Sequence, residues 1–543
     1  MKLVTADQTR TLDQQATKAG VPVAKLMENA GRGVAQEIRS LLGNVKGRRI
    51  VVLAGPGNNG GDGLVAARYL HDWDAETRVY LLAKRRPDDA NVAELVKREI
   101  DIADAENDPR FAALERFFSD AELIVDALLG TGPSRPIEAN LAEILEHVRR
   151  MRGGPQAPRL VAVDLPTGVN SDTGAVDPCT VPADLTVALG FSKVGLHTLP
   201  GSQYAGRVEV VDIGLPANSE AALKVDLMTD EWIAGLLPER PLNSNKSTFG
   251  RVLVIAGSEN YIGAVRLAAA AAGRVGAGLV TVACPQCIHS IVAAGLVEAT
   301  YLPLPDKEGG LSEKGVAEVL RVLEGFDVML IGPGLGGRPR TLEFVRALLF
   351  SLKEDTPIST VVDADALNIL GGVPGWAARV AVPLVLTPHP GELRRLTGKS
   401  IPEIQADRLA AATQNASAWR QTVVLKGAHT VVAMDDGRAA VSPFANAALA
   451  SAGTGDVLSG AIAGFLAQGL DRFAAASCGV YVHATAGERV REALGDAGLQ
   501  ASDLLLELPQ AIHELKIRSP AGRQGSPAPT TGKKRTLPRL RST

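Results

Sequence analysis

Short runs of apolar, mostly β-branched residues alternate with longer amphipathic stretches along the chain. Up to about residue 215 the runs include "RRIVVLAG", "TRVYLLA", "LIVDALLG" and "RLVAVDLP", with helix-length spacers between several of them. Such runs predict buried strands, and the spacers predict helices, the first beginning at a Thr5 cap and ending at Gly20. Alternation of this kind predicts a parallel sheet covered by helices, an α/β fold.

The same alternation resumes after a polar, proline-broken segment. Residues 217–250 read "ANSEAALKVDLMTDEWIAGLLPERPLNSNKSTFG", and strand-like runs then return with "RVLVIAGS", "VMLIGPGLGG" and "TVVLKGAHTVVA". The boundary is predicted near residues 217–230. We therefore predict two α/β domains, at residues 1–222 and 226–515. From residue 516 the chain is rich in Pro, Gly, Ser and basic residues, which predicts a disordered tail over residues 516–543.

Composition excludes several classes of protein. The 543 residues carry a net charge of -3, so a basic surface for nucleic acid is not expected. Four cysteines in so long a chain argue against a disulfide framework and indicate a reducing compartment. The first twenty residues contain no apolar run, which predicts no signal peptide. We expect a cytoplasmic protein without a membrane partner.

One glycine-rich loop raises the question of a nicotinamide cofactor. In "IVVLAGPGNNGGDG", Gly55, Gly57 and Gly60 match the G-x-G-x-x-G pattern of dinucleotide binding. Glycines allow close backbone approach, and the start of the following helix favours a phosphate. Asp62 would repel a pyrophosphate but could accept hydrogen bonds from ribose or amide groups. A glycine-rich strand-to-helix corner with no ligand is the alternative.

Two acids stand where predicted strands end. They are Asp126, in "DALLGTGPSRP", and Asp164, in "DLPTGVNSDTG". Because open α/β sheets bind ligands at the carboxyl ends of their strands, we expect both to converge on the glycine-rich loop. With the Thr167 hydroxyl they make a cation site plausible, and a partly buried Asp164 could act as a general acid or base. Each could also be a simple turn former or helix cap.

The motifs "NNGGDG", "DALLGTGPSRP" and "DLPTGVNSDTG", in this order and spacing, resemble the NAD(P)HX epimerase domain, also called the YjeF N-terminal domain, over about residues 5–216. The resemblance implies a Rossmann-like fold that interconverts the R and S forms of hydrated NAD(P)H, with Asp164 at the reacting ring. It implies substrate binding by Asn58, Asn59, Gly60, Gly61, Asp62, Gly130, Thr131, Gly132, Pro133, Ser134, Arg135, Pro136 and Asp164. It also implies a potassium ion (K+) held by Asn59, Asp126 and Thr167, the last where the family usually has serine.

The second half carries motifs suited to phosphoryl transfer. In "SAGTGDVLSG", two glycines and a threonine precede a helix start that has Asp456 in its first turn. Backbone N–H groups there form an anion hole, and the acid can take a proton from a hydroxyl being phosphorylated. "KGAHT" offers a cation and donors for a nucleotide phosphate, and "TPHPGEL" sets His389 between two prolines. A helix cap and a buried structural histidine are the alternatives.

Together with "VDADALN" and "GSENYIGA", these motifs resemble the ADP/ATP-dependent NAD(P)HX dehydratase, a ribokinase-like fold, over about residues 226–515. The resemblance implies that the hydrated nicotinamide nucleotide is faced by Ala264, Gly334, His389 and Asp456. It implies that the ADP or AMP moiety is bound by Lys426, Gly427, Ala428, His429, Thr430 and Gly455, with Mg²⁺ (Mg2+) assisting. The segment "NSNKSTFG" departs from the family's usual His-Lys-Gly before the first strand.

The two resemblances imply one repair enzyme. It would epimerise NADHX or NADPHX and dehydrate the S form to NAD(P)H at the expense of ADP, giving AMP and phosphate. The choice of ADP or ATP and of NADHX or NADPHX stays open, and we expect a homo-oligomer. Two rival readings are a ribokinase-type kinase for a small alcohol fused to a sensor domain, and a non-catalytic scaffold.

Overall fold

The computed structural model describes residues 1–132 and 136–518. Their chain forms two compact units. Unit 1 contains residues 1–227 and 367–445, and unit 2 contains residues 228–366 together with the described chain from residue 446. Three predicted site residues (Pro133, Ser134 and Arg135) and nearly all of the predicted tail lie outside the described residues.

The first part of unit 1 contains ten strands and seven α-helices. The strands are β1 (Lys2–Val4), β2 (Arg49–Ala54), β3 (Glu76–Leu81), β4 (Asp101–Asp104), β5 (Leu123–Ala127), β6 (Arg159–Val163), β7 (Leu185–Leu189), β8 (Ser192–Lys193), β9 (Arg207–Val211) and β10 (Val225–Leu227). The helices are α1 (Ala6–Lys18), α2 (Val23–Leu42), α3 (Asn58–Asp72), α4 (Ala90–Val96), α5 (Ala112–Phe118), α6 (Ala139–Arg152) and α7 (Gly201–Ala205).

Seven of these strands form a parallel, Rossmann-like sheet, as the sequence predicts. Their order is β4-β3-β2-β5-β6-β7-β9, and every neighbouring pair is parallel. The chain builds outward from β2 in one direction and from β5 in the other. Ligands bind at such a switch point, outside the carboxyl ends of the strands. Here those ends are Ala54 and Ala127, next to the glycine-rich loop and Asp126.

The rest of the chain continues the α/β alternation. In chain order it contains α8 (Asp230–Leu236), β11 (Arg251–Ile255), α9 (Ile262–Arg274), β12 (Leu279–Pro285), α10 (His289–Gly295), β13 (Thr300–Leu304), β14 (Asp306–Lys307), β15 (Gly310–Leu311), α11 (Val316–Val322), β16 (Val328–Ile331), α12 (Pro339–Ser351), β17 (Ser359–Val362), α13 (Ala364–Gly371), β18 (Leu384–Leu386), α14 (Pro390–Thr397), α15 (Ile401–Ala406), α16 (Arg408–Trp419), β19 (Thr422–Leu425), β20 (Val431–Ala433), β21 (Ala439–Val441), α17 (Thr454–Ala467), α18 (Arg472–Leu494) and α19 (Ala501–Arg518).

Unit 2 is built on parallel strands in the order β13-β12-β11-β16-β17. Helices α9 and α17 pack closely because glycines of α17 face backbone of α9. A Cβ at Gly460 would collide with the carbonyl of Ala268, and a Cβ at Gly464 would lie 2.6 Å from the carbonyl oxygen of Ala272. Both contacts advance by four residues, so the two helices run in the same direction.

A second group of strands in unit 1 comes from distant parts of the chain. Its strands follow the order β18-β19-β20-β21-β10-β1-β8, and β10 pairs parallel with β21 and antiparallel with β1. Strand β10 overlaps the predicted start of the second domain at residue 226. That division stays a prediction.

No helix in the described ranges is both long enough and apolar enough to cross a lipid bilayer. All four cysteines carry free thiols.

Candidate functional site

The glycine-rich loop between β2 and α3 is a tightly packed corner. A Cβ at Gly60 would collide with the carbonyl of Gly55, and a Cβ at Gly55 would collide with the carbonyl of Leu128. At Gly57 a Cβ would meet no atom within 4 Å. Two of the three pattern glycines are therefore required by packing alone. Their spacing is not by itself evidence for a bound dinucleotide.

Asp126 lies at the end of β5 and is almost fully buried. Its carboxylate accepts a hydrogen bond from the Thr167 hydroxyl at 2.7 Å and another from the Thr167 backbone N–H at 2.8 Å. Leu129 N–H donates to the same hydroxyl, and Asn59 Nδ2 donates to the Leu129 carbonyl at 2.9 Å. The structure thus brings together the three residues that the resemblance assigns to potassium.

The surroundings of Asp126 offer oxygen donors to a cation. Burial raises the pKa of Asp126, while hydrogen bonds from Thr167 and Leu128 act in the opposite direction. In the described part of the chain no Lys, Arg or His pairs with this carboxylate. No cluster of three or more His, Cys, Asp or Glu side chains suited to a metal occurs among the described residues. Carboxylate, hydroxyl and amide oxygens are the donors available, and hard cations prefer oxygen ligands.

Asp164 follows β6 directly and has a left-handed backbone, with φ of 69°. Such a conformation is uncommon for a residue other than glycine and is found most often at functional sites. Its Oδ1 accepts from the Leu189 N–H at 3.0 Å and from the ammonium group of Lys193. Lys193, fully buried on β8, also donates to the carbonyls of Leu189 and Phe191, each at 3.0 Å. Oδ1 of Asp164 is therefore committed to the protein.

Asp62 and Asp13 complete the charged group around Asp164. Asp62 lies in the second turn of α3 with only 7% of its surface exposed. Burial raises the pKa of Asp62 well above its usual range, and the charges of Asp164 and Asp13 act in the same direction. Burial also raises the pKa of Asp13, a residue of α1. The sequence analysis did not single out Lys193. The only sign of it in the sequence is a lysine within the loop "GFSKVGLH".

Three further predicted epimerase residues border a cavity at the same edge. This cavity, of about 350 Å³, is bordered by Gly130, Gly132 and Pro136 and by the 168–171 turn. A Cβ at Gly130 would lie 3.2 Å from Asn59 Cγ, so the loops after β2 and β5 are in contact. Strand-end convergence, predicted from the sequence, is therefore confirmed for these loops.

In unit 2 the structure brings together two predicted dehydratase residues. A Cβ at Gly334, whose φ is 62°, would lie 2.8 Å from Ala264 Cβ. Ala264 belongs to α9, and Asp456 lies in the first turn of α17, the helix that packs against α9.

The start of α17 is built to present backbone N–H groups. Gly453 precedes it with φ of 89°, and the Thr454 hydroxyl donates to the carbonyls of Leu449 and Ser451, each at 2.9 Å. His483 Nε2 contacts the Thr454 carbonyl at 3.0 Å and holds the turn from α18. Gly455 and Asp456 lie in the first turn, where the helix dipole favours an anion.

In unit 1 His389 caps α14. Its Nδ1 accepts from the Gly391 N–H, while Glu392 accepts from the His389 N–H at 2.7 Å. The side chain of His389 is 52% exposed, so the ring remains accessible to solvent although it caps the helix. Glu392 also lies 3.7 Å from Lys426 Nζ, which links the histidine cap to the "KGAHT" segment. The sequence analysis did not single out Glu392.

Hydrogen bonds of two buried side chains hold the "KGAHT" segment in place. Arg408 is buried on α16 and donates to the carbonyls of Leu425 at 2.9 Å and Lys426 at 3.2 Å. The His429 ring is buried and bonded to the Ser442 carbonyl and to the hydroxyl of Ser202, on α7, at 2.9 Å. Any contact of His429 with a nucleotide would therefore come from its backbone, while its side chain anchors the loop.

Two family models match the chain. One, described as NAD(P)H-hydrate dehydratase, matches residues 252–510. The other, described as YjeF-related protein N-terminus, matches residues 23–195. Each model covers one of the two groups of motifs.

Whole-length relatives carry both parts. The bifunctional NAD(P)H-hydrate repair enzyme of Moorella thermoacetica is 39% identical over 530 residues, which is 95% of this chain and 97% of the relative. The enzyme of the same name from Thermofilum pendens is 36% identical over 526 residues, with coverages of 95% and 97%. A solved structure, an ADP/ATP-dependent NAD(P)H-hydrate dehydratase from Bacillus subtilis co-crystallized with ATP/Mg²⁺, is 31% identical. It covers 54% of this chain and 100% of its own, with a TM-score of 0.47.

Proposed function

The chain belongs to the family of bifunctional NAD(P)H-hydrate repair enzymes, and we propose that it repairs hydrated NAD(P)H by epimerisation followed by ADP-dependent dehydration. One observation carries the proposal: both family models match the same chain, and that chain aligns with its relatives nearly end to end. The dehydratase takes the S epimer, and the epimerase converts the R epimer into it.

We place epimerisation at the edge where Asp62, Asp126 and Asp164 meet the glycine-rich loop. Asp164 is the residue at the hydrated C6 carbon. Substrate contacts are assigned to residues 58–62 and 130–136. Asn59, Asp126 and Thr167 would hold K⁺, which supplies the positive charge that the buried Asp126 lacks.

We place dehydration at the start of α17. Asp456 takes the proton of the C6 hydroxyl, and the terminal phosphoryl group of the nucleotide transfers to that oxygen. Phosphate, a better leaving group than hydroxide, then departs as the C6–O bond breaks, and loss of a proton from C5 forms the C5=C6 double bond of the dihydronicotinamide. Ala264, Gly334 and His389 contact the hydrated nucleotide, and residues 426–430 and Gly455 contact ADP. Mg²⁺ would neutralise charge on the nucleotide phosphates.

Paired variants test the two assignments in the same chain. Asp164→Asn should lose epimerisation of the R form by about 100-fold or more while still dehydrating the S form with ADP. Asp456→Ala should do the reverse. The two epimers are separated by chromatography, and dehydration is followed by the absorbance of reduced nicotinamide. Dehydration at the wild-type rate by Asp456→Ala, or epimerisation at that rate by Asp164→Asn, would refute the corresponding role.

The same assay separates the rival functions. A kinase for a small alcohol, or a scaffold, would leave hydrated NADH unchanged in the presence of ADP. Cytoplasmic location and a homo-oligomeric state stay predictions, and comparison of ADP with ATP and of NADHX with NADPHX would establish the preferred substrates.

A further inference from the structure

The acidic side chains around Asp164 outnumber the basic ones. Three carboxyl groups, those of Asp13, Asp62 and Asp164, share the buried ammonium of Lys193. Lys193 makes its direct contact with Asp164 and directs its remaining N–H groups to backbone carbonyls. Among the described residues, no hydrogen bond or ion pair engages the Asp62 carboxyl. Asp62 is therefore a buried carboxyl without a direct cationic partner among the described residues.

Epimerisation of the hydrated ring needs two proton-transferring groups. Carbon C6 carries a hydroxyl and is bonded to ring nitrogen N1, so N1 can expel the hydroxyl if an acid protonates it. The product of that step is a cation with a C6=N1 double bond. Water then adds to the other face of the ring and loses a proton to a base. One group must begin protonated and the other ionised.

On the premise of the proposed epimerase function, we propose that Asp62 is the proton donor, that Asp164 is the proton acceptor, and that Lys193 positions Asp164. Asp62 gives its proton to the leaving hydroxyl as the C6–O bond breaks and N1 supplies the electron pair. The incoming water forms the new C6–O bond and gives a proton to Asp164. The proton returns from Asp164 to Asp62 through solvent, so no other reactant is consumed.

The geometry divides these roles between the two acids. Oδ1 of Asp164 is occupied by Lys193 and by the Leu189 N–H, which leaves Oδ2 to receive a proton. Burial raises the pKa of Asp62, which favours the protonated form that a proton donor needs. Pairs of acids with environments that differ in this way are typical of acid and base partners in catalysis.

An oxygen-isotope experiment tests the bond that breaks. The full-length protein is incubated with the R epimer in ¹⁸O-labelled water without ADP, and both epimers are analysed by mass spectrometry. Each epimerisation event should introduce one ¹⁸O at C6. Epimerisation that leaves the original oxygen at C6 would overturn the mechanism, whereas absence of any epimerisation by the wild-type protein would refute the proposed function instead.

Three substitutions test the roles. Asp62→Asn should lower kcat for epimerisation by about 100-fold or more, with ¹⁸O exchange falling in parallel. The rate of the wild-type enzyme should fall as pH rises through the pKa of Asp62, and this fall should be absent from the residual rate of the variant. Lys193→Met should lower kcat and leave KM for the hydrate within about threefold, because it disturbs only the acceptor.

Asp7→Asn is the control, since it makes the same change at an exposed position of α1, outside the charged group. It should stay within about fivefold of wild type, because Asp7 belongs to no part of the site. ADP-dependent dehydration of the S form reports folding of every variant. Wild-type epimerisation by a folded Asp62→Asn protein, or an equal loss in Asp7→Asn, would overturn the assignment.

Discussion

Two histidines of unit 1 are placed to make it sensitive to acid. Most of the His197 ring is shielded from water, and this burial lowers the pKa of the imidazole to about 4. His197 Nε2 lies 2.8 Å from the Ser192 hydroxyl, next to Lys193. Burial lowers the pKa of His429 as well, and the nearby Arg408 adds to the effect. Both rings are therefore neutral in the folded protein at neutral pH.

The stability of unit 1 should fall as pH falls below about 6.5, the usual pKa of histidine. Below that pH these histidines bind protons in the unfolded chain but not in the folded chain. Each histidine therefore lowers the free energy of unfolding by up to about 1.4 kcal/mol per pH unit. The effect should persist toward the folded pKa of His197. Urea unfolding between pH 6.5 and pH 5, followed by tryptophan fluorescence, measures it. His197→Gln should flatten the slope, while the same change at the exposed His513 should not.

At the scale of single residues, the sequence predicts the acids that follow strand ends. It does not predict residues whose role depends on contacts with distant segments. Asp126 and Asp164 follow apolar runs, so their position at the sheet edge could be inferred. Lys193 and Arg408 gain their importance from burial against carbonyls and a carboxylate of other segments. Nothing in their neighbouring sequence reports those contacts.

At the scale of elements, the β2–α3 corner offers a direct comparison between two glycines. Gly60→Ala should abolish epimerisation, because its Cβ would collide with the Gly55 carbonyl and displace the substrate loop. Gly57→Ala meets open space and should keep activity within about threefold, consistent with an ordinary surface substitution. Both rates are measured on the R epimer, with dehydration of the S epimer as the folding control. Equal activities would show that the corner can relax.

The contact of α9 with α17 makes a second element-scale prediction. Gly460→Ala should lower the stability of unit 2 by about 1–3 kcal/mol, because the added methyl meets the backbone of Ala268. Displacement of α17 should also reduce dehydration, since Asp456 lies at its start. Gly263→Ala, on α9 but facing open space, is the control. Thermal inactivation of dehydration compares the two variants; coincident curves would contradict the packing argument.

Long elements were predicted better than short ones. The parallel strands β2, β3, β5 and β6 coincide with the quoted apolar runs, and α1 begins after the predicted Thr5 cap, which forms a capping box with Gln8. Strands β1, β8 and β10 have two or three residues each, too few to show a periodicity. They exist because distant segments supply their hydrogen-bonding partners.

For the whole molecule, the sequence predicts two α/β parts and two activities but not which segments pack together. Residues 367–445 resemble the dehydratase family, yet they belong to the same compact unit as residues 1–227. Pairing of β10 with both β1 and β21 joins them, and the Ser202–His429 hydrogen bond adds a second link. Pairing over such distances leaves no local signal in composition or spacing.

The two-sided pairing of β10 also bears on how the protein is made. Strand β1 is synthesised before its antiparallel partner β10, which follows more than two hundred residues later, and β21 follows after a further interval of similar length. Domains generally fold as they emerge, whereas contacts between distant segments form late. The Rossmann-like sheet can therefore fold early in translation. The pairing on both sides of β10 can be completed only after β21 has been synthesised.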